Sequence, residues 1–406
     1  MKVLLAVTGS IACYKSYDLA REMVKKGDIV KVILSKGALK FIRPELFRYL
    51  GVESVYLPND DFNLSQYQER SSGQVLHIEL ARWCDRLVVA PASANMLKKL
   101  SSGEATDLLT SVFLSIGNKP IAIYPAMNTE MLNHPFTQDH LRNLSRLPNL
   151  FLASTQEGIL ACGEIGVGKL HSVETILNTY DIKSTKPAQN KTVLITTGAT
   201  IAPLDPIRFM TNGSSGITGF HLARKFLSEN YKVVVIAGQN AVTKLDDLTT
   251  LKNFKLVRVV TAKEMEEAVK NEFPTCDLYV SSAAVGDFEF NLADEKIKKS
   301  NLKESLPIRP SVDILAETLK LRKHQKIIGF AAETSTTSET FKEKYERKKV
   351  DLLIGNPVNT SYSGIAAKGF GTEDNQYFFI EEGKIQSTGS FSKSDLADKI
   401  FEWYTC

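Results

Sequence analysis

A single cysteine lies among closely spaced glycines in residues 161–169, which read Ala-Cys-Gly-Glu-Ile-Gly-Val-Gly-Lys. Because glycine has no Cβ, such a backbone can fold over a ligand without steric clash. A thiol on such a flap can reach a bound substrate and be shielded from bulk water when the flap closes. The pattern therefore predicts a mobile lid that carries the thiol of Cys162; the alternative is a surface turn with an incidental cysteine.

His77 and Asn128 are two more candidate functional side chains. His77 lies in an apolar stretch ahead of a predicted strand, so it is either an acid–base group or a buried histidine with satisfied hydrogen bonds. Asn128 follows a predicted strand that ends at Pro125. At that position its amide can donate to a carboxylate, or the residue can simply form a turn.

Small and hydroxyl-bearing residues follow the strands of the first half. Residues 9–11, Gly-Ser-Ile, join the first predicted strand to a helix. Free backbone N–H groups at a helix N-terminus suit a phosphate. Ser93 and Asn95 follow a later strand, where they either cap a helix or hold a cofactor ring and its phosphate.

The second half has two clusters of Gly, Ser and Thr, residues 196–200 and 211–219, on either side of a proline-containing turn. Backbone N–H groups in such loops can bind phosphates. Neither the P-loop pattern nor a regular Gly-x-Gly-x-x-Gly spacing is present. The lysine-rich loop around Lys296 is either a solvated surface run or a triphosphate-binding element.

The predicted secondary structure places these loops. Apolar runs predict strands at residues 2–7, 29–34, 192–197 and 232–238. A helix follows the first strand, with Tyr14, Leu19, Ala20 and Met23 on its apolar face and Gly27 after its end. Alternating apolar strands and helices predict parallel sheets with helices on both faces. Ligands bind such sheets at the carboxyl ends of the strands, where the candidate residues lie.

Both halves open with the same strand–loop–helix–strand order, so we predict an α/β fold with two Rossmann-like domains. The length of 406 residues also exceeds what one growing core usually supports. The polar, proline-containing run 183–190 predicts a linker between a first domain over 1–182 and a second over 191–406.

Composition excludes several classes of protein. The hydrophobic fraction of 43% and the charged fraction of 24% are typical of a soluble globular protein. No basic tract with interleaved aromatics points to nucleic acid, no apolar run reaches membrane-helix length, and the first residues do not resemble a signal peptide. Five scattered cysteines indicate neither disulfides nor a metal site. We therefore expect a cytoplasmic enzyme.

The first half resembles the homo-oligomeric flavin-containing cysteine decarboxylases, above all the decarboxylase part of the bifunctional phosphopantothenoylcysteine decarboxylase/phosphopantothenate–cysteine ligases. The matching motifs occur in family order: Gly9-Ser10-Ile11-Ala12 with Tyr14-Lys15, His77, Pro91-Ala92-Ser93-Ala94-Asn95, Pro125-Ala126-Met127-Asn128 and Ala161-Cys162-Gly163-Glu164. The resemblance implies oxidative decarboxylation of a cysteinyl thiol, with FMN supplying the redox chemistry.

The resemblance also implies roles for individual residues. His77 would be needed for the oxidative decarboxylation, Asn128 would hold the substrate carboxylate, and Cys162 would donate a proton in the final reduction. The expected FMN contacts are Gly9, Ser10, Ile11, Ser35, Ser93, Ala94 and Asn95. The flap departs from the family at Lys169, which replaces an arginine. Lysine keeps the charge but loses the bidentate fork, so we expect a weaker anion contact there.

The second half resembles the ligase part of the same bifunctional enzymes. The matching blocks are residues 196–219, 283–288, 295–299, 329–334 and 351–356. In that family CTP activates 4′-phosphopantothenate as an acyl-cytidylate, Mg²⁺ bridges the triphosphate oxygens, and cysteine then displaces CMP. The resemblance implies that Asn212 acts in turnover of the acyl-cytidylate, that Asp287 and Lys296 contact the nucleotide, and that Phe330 and Ala331 lie against its base or ribose.

The ligase half departs from the family pattern at several positions. They are Ile201-Ala202, Ile217-Thr218, Gly286, Phe288 and Pro357. Because Asn212, Asp287 and Lys296 are kept, we still expect a working ligase. Nucleotide preference and substrate affinity are the properties that these departures affect most.

We therefore expect an enzyme of coenzyme A biosynthesis that ligates cysteine to 4′-phosphopantothenate and then decarboxylates the product to 4′-phosphopantetheine. A flavin-binding regulatory protein is one alternative, but it would need neither His77 nor Cys162. A nicotinamide-dependent oxidoreductase is the other, and the glycine spacing after the first strands disfavours it. The resemblance also implies a homo-oligomer, in which trimeric decarboxylase and dimeric ligase parts build a dodecamer. Its partners would be small molecules, not nucleic acid or membrane.

Overall fold

The computed structural model describes residues 1–62, 75–182, 190–298, 306–334, 338–358 and 374–406. The chain divides into two compact units, unit 1 (residues 1–186) and unit 2 (residues 187–406). Of the predicted linker 183–190, all but Asn190 lies outside the described residues. Among the described residues, no helix combines the length and the apolar character that crossing a bilayer requires.

Unit 1 is built on a parallel six-stranded sheet. Its strands are β1 (Lys2–Val7), β2 (Ile29–Leu34), β3 (Ser54–Tyr56), β4 (Arg86–Ala92), β5 (Ile121–Pro125) and β6 (Leu150–Leu152). They lie in the order β3-β2-β1-β4-β5-β6, with every pairing parallel. The order reverses between β1 and β4, and ligands of open α/β sheets bind beside such a switch point.

Helices cover both faces of this sheet. They are α1 (Lys15–Lys25), α2 (Pro44–Tyr49), α3 (Leu76–Trp83), α4 (Ala94–Ser102), α5 (Leu108–Ser115), α6 (Thr129–Asn133), α7 (Pro135–Leu144) and α8 (Val173–Thr179). Every residue from Val3 to Val7 is fully buried, as expected for a strand packed on both sides. A hairpin of β7 (Gln156–Ile159) and β8 (Ile165–Lys169) forms a separate antiparallel ladder.

The first helix of unit 1 differs from the prediction in one respect. Leu19, Ala20 and Met23 are buried on α1, as predicted. Tyr14 instead ends a short 3-10 helix, Ile11–Tyr14, and is 58% exposed. The tighter 3-10 turn takes Tyr14 out of the α-helical register, so its assignment to the apolar face was wrong.

Unit 2 has an eight-stranded mixed sheet. Its sheet strands are β9 (Thr192–Thr197), β12 (Lys232–Gly238), β13 (Phe254–Val259), β14 (Leu278–Ser281), β17 (Lys326–Glu333), β18 (Leu352–Pro357), β19 (Asp374–Glu381) and β20 (Lys384–Ser392). The order is β13-β12-β9-β14-β17-β18-β19-β20, parallel up to β18 and antiparallel beyond it. Two short ladders pair β10 (Ile201–Pro203) with β11 (Phe209–Thr211), and β15 (Phe288–Phe290) with β16 (Ile308–Pro310).

The helices of unit 2 pack against this sheet. They are α9 (Ile217–Ser228), α10 (Lys244–Asp247), α11 (Ala262–Glu272), α12 (Ile314–Leu319), α13 (Ser338–Lys348) and α14 (Lys393–Thr405). The prediction of an α/β fold in both halves is confirmed. The antiparallel edge of unit 2, formed by β19 and β20, was not predicted.

Candidate active sites

The loops after β1 and β4 are tied together at the carboxyl edge of the unit 1 sheet. The Thr8 hydroxyl donates to the Pro91 carbonyl oxygen at 2.8 Å. The Thr8 Oγ1 in turn accepts from the backbone N–H of Ser93 at 2.8 Å. The first residues of both loops are therefore held in fixed positions beside the switch point of the sheet.

The loops after β1 and β2 approach each other through two glycines. A Cβ on Gly9 would lie 2.8 Å from the Cα of Gly37, so this approach requires glycine. Ser35, at the end of β2, is buried, and its Oγ accepts from the Ala38 N–H at 3.2 Å. The hydroxyl hydrogen of such a serine can still donate to a ligand.

Two predicted cofactor residues begin helices at this edge. Ser10 caps the 3-10 helix through Oγ and the Ala12 N–H at 3.4 Å. Ser93 caps α4 through Oγ and the Met96 N–H at 3.4 Å. The seven predicted FMN contacts thus follow three adjacent strands, β1, β2 and β4. They are Gly9, Ser10, Ile11, Ser35, Ser93, Ala94 and Asn95. Hydroxyl donors and helix N-termini at one edge are the groups that a flavin phosphate and ring oxygens would bind.

Asn128 and Cys162 lie together. Asn128 caps α6 through Oδ1, which accepts from the Glu130 N–H at 2.8 Å. Its Nδ2 donates to the Cys162 Sγ at 3.7 Å. The thiol in turn lies 3.5 Å from Oε2 of Glu164; Cys162 is exposed, whereas Asn128 is half-buried. An amide donor, a thiol and a carboxylate therefore form one cluster.

The β7–β8 hairpin that carries Cys162 is docked against the loop after β5. Met127 N–H donates to the Gly168 carbonyl at 3.0 Å, and the Thr129 hydroxyl donates to the Val167 carbonyl at 2.7 Å. Gly168 has φ +125°, and a Cβ there would lie 2.3 Å from the Met127 carbonyl oxygen. A Cβ on Gly166 would lie 2.3 Å from the Thr129 Oγ1. Gly166 and Gly168 of the predicted lid thus allow its close approach to the loop after β5, while motion of the lid stays a prediction.

His77 is the second residue of α3 and pairs with Asp61. Its Nδ1 lies 2.7 Å from Oδ2 of Asp61, and its backbone N–H donates to Oδ1 at 3.1 Å. The His77 side chain is half-buried, with 25% of its surface exposed, and its ring is hydrogen-bonded on one side. Within the described residues no hydrogen bond joins His77 to Asn128 or Cys162.

Two lysines supply positive charge near the β1 loop. Burial, and to a smaller extent the charge of Lys169, lowers the pKa of Lys15 at the start of α1. Two ammonium groups close enough to disfavour each other's charge are stabilised by an anion between them. An anion such as a phosphate group bound beside these two lysines would therefore be favoured.

Unit 2 contains a cavity of about 430 Å³ at the carboxyl edge of its sheet. Its walls come from the ends of β9, β14 and β17 and from α9, α12, α13, β18, β19 and α14. The predicted site residues Asn212, Asp287, Phe330 and Ala331 line it. A cavity of this size suits a nucleotide-sized ligand.

The N-terminus of α9 forms one wall of this cavity. Gly216 is the N-cap, has φ +76° and offers no side-chain cap, which leaves the first-turn N–H groups to a ligand. A Cβ on Gly219 would lie 2.3 Å from the Cβ of Thr197, so glycine lets α9 pack closely on β9. Backbone donors at a helix N-terminus are the usual partners of phosphate groups.

Asn212 holds the loop after β14 in place. Its Nδ2 donates to the carbonyl oxygens of Ala284 and Val285 at 3.3 and 3.2 Å. In the same loop after β14, the N–H of Gly286 donates to Oγ1 of Thr200, a residue that follows β9, at 2.9 Å. These contacts fix the backbone that leads to Asp287, whose side chain is exposed at the cavity.

Three basic residues of α13, which we call the cationic cluster, face the cavity: Lys344, Arg347 and Lys348. Lys348 donates to the Phe330 carbonyl oxygen at 2.9 Å, and Lys344 forms an ion pair with Glu333. Burial, and next the charge of Lys344, lowers the pKa of Lys348. Sequence reasoning missed this cluster, although a spacing of i, i+3 and i+4 places such residues on one helix face.

Lys296 is the one predicted site residue of unit 2 that does not line the described walls of the cavity. Lys296 is exposed, and the side chains of Asp205 and Arg208 hold the backbone of its neighbour Ile297. The Ile297 N–H donates to Asp205 at 3.1 Å, and Arg208 donates to the Ile297 carbonyl oxygen at 2.8 Å. The hydrogen bonds from Arg208 keep the pKa of Asp205 well below its usual range. The loop of Lys296 is thus anchored outside the cavity.

Comparison with known proteins identifies both units. The family model "Flavoprotein" matches residues 1–184, and the model "DNA/pantothenate metabolism flavoprotein C-terminal domain" matches residues 188–405. The coenzyme A biosynthesis bifunctional protein CoaBC of Bacillus subtilis (strain 168) is 34% identical, with 98% of this chain and 95% of that protein covered. The protein of the same name from Escherichia coli (strain K12) is 32% identical, covering 94% and 91%.

Among solved structures, the FMN binding protein AtHal3 is 35% identical, covers 44% of this chain and 93% of that one, and has a TM-score of 0.38. The family models and the curated relatives together span both units over nearly the full length. The chain therefore belongs to the CoaBC family of bifunctional coenzyme A biosynthesis enzymes, with a flavoprotein decarboxylase unit followed by a ligase unit.

Proposed function

We propose that the cavity of unit 2 joins cysteine to 4′-phosphopantothenate at the expense of CTP, and that the Asn128–Cys162 site of unit 1 decarboxylates the product to 4′-phosphopantetheine with FMN. The observation that carries the proposal is the presence of two different polar sites, each at the carboxyl edge of its own sheet. One pairs an amide with a thiol, and the other places a cationic cluster beside a helix N-terminus.

In unit 1 the residues of the β1, β2 and β4 loops would hold FMN. The Gly9–Gly37 approach and the hydroxyls of Ser10, Ser35 and Ser93 fit its phosphate and polar ring atoms. When bound, FMN would accept two electrons from the cysteinyl thiol and return them after carbon dioxide has left.

The chain's own side chains would bind the substrate and move protons. The Asn128 amide would donate to the departing carboxylate. Because Nδ2 of Asn128 lies 3.7 Å from Sγ of Cys162, this contact would place the cysteinyl group of the substrate beside Cys162. The Cys162 thiol would then supply a proton to carbon in the closing reduction. His77 would exchange the proton that oxidation of the thiol releases, while Lys15 and Lys169 would bind the phosphate of the substrate.

In unit 2 the nucleotide would lie between α9 and α13. The 4′-phosphopantothenate carboxylate would attack the α-phosphorus of CTP and expel pyrophosphate, and the cysteine amine would then attack the acyl carbon and expel CMP. The cationic cluster and the N–H groups of α9 would stabilise the charge that develops on the leaving pyrophosphate. Mg²⁺, which prefers carboxylate and phosphate oxygens, would bind beside Asp287 and reduce the same charge.

The resemblance supports the finer assignments in unit 2. Asn212 would act in turnover of the acyl-cytidylate, with its amide already fixed against the β14 loop. Phe330 and Ala331 would lie against the base or ribose. Lys296 would contact the nucleotide from outside the cavity walls. A cytoplasmic homo-oligomer, with trimeric and dimeric contacts that build a dodecamer, belongs to the same proposal.

Two assays on the purified full-length chain test the two halves separately. We expect bound flavin absorbance and carbon dioxide release from phosphopantothenoylcysteine, and loss of that release in His77→Gln. We also expect pyrophosphate release that depends on CTP and 4′-phosphopantothenate and is unchanged in His77→Gln. A chain without flavin would contradict the unit 1 proposal, and pyrophosphate release that does not need 4′-phosphopantothenate would contradict the unit 2 proposal.

A further inference from the structure

We propose that Asp61 is a positioning residue that keeps the hydrogen of His77 on Nδ1 and leaves Nε2 as the ring atom that exchanges protons with the substrate. The inference rests on the proposed function of unit 1, because it assigns the working atom of His77. Asp61 lies in a short 3-10 helix, Asp60–Phe62, well before His77 in the chain, and no sequence motif linked the two residues.

The geometry gives each carboxylate oxygen its own partner. Oδ2 of Asp61 lies 2.7 Å from Nδ1 of His77, and Oδ1 accepts from the His77 backbone N–H at 3.1 Å. The Asp61 side chain is only 5% exposed, whereas the His77 side chain is 25% exposed. The carboxylate is therefore buried against one edge of the ring, while part of the imidazole stays open to a ligand.

The chemistry of the pair fixes the tautomer. An ionised carboxylate only accepts hydrogen bonds, so the ring nitrogen that faces it must carry a hydrogen. This holds for the neutral ring and for the imidazolium alike, which leaves Nε2 as the atom that gains or loses a proton. A second bond to the backbone of the same residue also restrains the position of the ring relative to α3.

A purely structural role for Asp61 can be separated from this one. Val75, the N-cap of α3, makes no side-chain cap bond, and Oδ1 of Asp61 satisfies the N–H of His77 in its place. In Asp61→Asn the amide oxygen can still accept from that N–H. The amide nitrogen, however, then donates toward Nδ1 and places the ring hydrogen on Nε2. The substitution thus keeps the cap and reverses the tautomer.

Asp60 offers a matched control. It is the neighbouring residue, it is also buried, and its Oδ2 accepts from the Leu57 N–H at 2.8 Å without contacting His77. Asp60→Asn makes the same change of carboxylate to amide in the same 3-10 helix. Any general disturbance of this helix should therefore affect both variants, and a tautomer effect should affect Asp61→Asn alone.

The kinetic test measures decarboxylation of phosphopantothenoylcysteine by the full-length, flavin-loaded protein. For Asp61→Asn we expect kcat to fall at least about 100-fold with KM within about 3-fold, as for loss of a positioned acid–base group. Asp61→Glu, which keeps a carboxylate, should recover part of the rate, and Asp60→Asn should stay within about 3-fold of the native protein. A native-like kcat in Asp61→Asn, or an equal loss in both Asn variants, would overturn the inference.

A spectroscopic test does not depend on activity. Solid-state ¹⁵N NMR of protein labelled at its six histidines, compared with His77→Gln, would isolate the His77 ring signals. We expect a protonated Nδ1 in the native protein, and a protonated Nε2 alone would overturn the inference. A protonated Nδ1 in a protein that does not decarboxylate phosphopantothenoylcysteine would support the pairing and refute the proposed function of unit 1.

Discussion

The two units build their candidate active sites from different kinds of structural element. The unit 1 site consists of loops and one hairpin at the edge of a regular parallel sheet, and apart from the buried Ser35 its functional side chains are half-buried or exposed. The unit 2 site is a cavity whose walls come from residues as distant as Thr197 and Lys393. A site made of short loop motifs can be predicted from the sequence, whereas a cavity lined by residues distant in sequence can be identified only from the folded structure.

The largest expected effect comes from removing the hairpin thiol, which belongs to the unit 1 site alone. In Cys162→Ala we expect the closing reduction to slow by about 100-fold or more, because a general acid is lost. Mass spectrometry should then show a product that lacks two hydrogens relative to 4′-phosphopantetheine. The exposed Cys406 provides the control, and Cys406→Ala should behave like the native protein. Equal loss in both variants would contradict a specific role for the hairpin thiol.

The cationic cluster should give the complementary result. Lys348→Ala removes a half-buried charge from the cavity wall, and we expect ligation to fall about 10- to 100-fold, since charged hydrogen bonds contribute about 1.5–3 kcal/mol. Decarboxylation of added phosphopantothenoylcysteine should not change. Lys342 lies on the same helix, is exposed and does not face the cavity, so Lys342→Ala is the matched control. A similar decrease in both variants would indicate a general effect of charge.

A smaller effect should follow from moving the hairpin without removing its thiol. Gly168→Ala introduces a Cβ that meets the Met127 carbonyl oxygen, and we expect decarboxylation to fall about 10-fold. Gly163 also has a positive φ, +88°, but a Cβ there meets nothing within 4 Å. Gly163→Ala therefore shares the backbone strain and lacks the clash. If both variants slow decarboxylation equally in steady-state assays, docking of the hairpin is not what matters.

The smallest effect concerns thiol chemistry across the whole chain. Burial raises the pKa of Cys13 and Cys84 to about 11 and that of Cys276 to about 12. Only the thiolate reacts with iodoacetamide, so these three thiols should stay unmodified below about pH 10 in the folded protein. The exposed Cys162 and Cys406 should be alkylated first. Peptide mapping after alkylation at pH 8 would contradict this if a buried cysteine reacted at a comparable rate.

The sequence predicted the parts of the molecule that depend on local pattern. The strands Lys2–Val7 and Lys232–Gly238 match the predicted residues, because continuous apolar runs must be buried on both faces of a sheet. The residues Asn128 and Cys162 were both singled out, but their contact depends on hairpin docking, which no local pattern encodes.

Other features escaped prediction because they depend on tertiary packing. The cationic cluster lies on a strongly charged helix that reads as a solvated surface, and only the fold turns Lys348 toward the cavity. The pairing of Asp61 with His77 likewise joins two elements that are distant in sequence. Lys296 shows the reverse case, because a recognisable motif residue lies outside the cavity walls that the structure describes.

The most direct test of two separate sites acting in sequence is one mass-spectrometric assay. The native chain and His77→Gln would each be incubated with 4′-phosphopantothenate, cysteine, CTP and Mg²⁺. We predict 4′-phosphopantetheine from the native chain, and from His77→Gln an accumulation of phosphopantothenoylcysteine formed at an unchanged rate. Phosphopantothenoylcysteine as the final product of the native chain, or loss of ligation in the variant, would contradict the account.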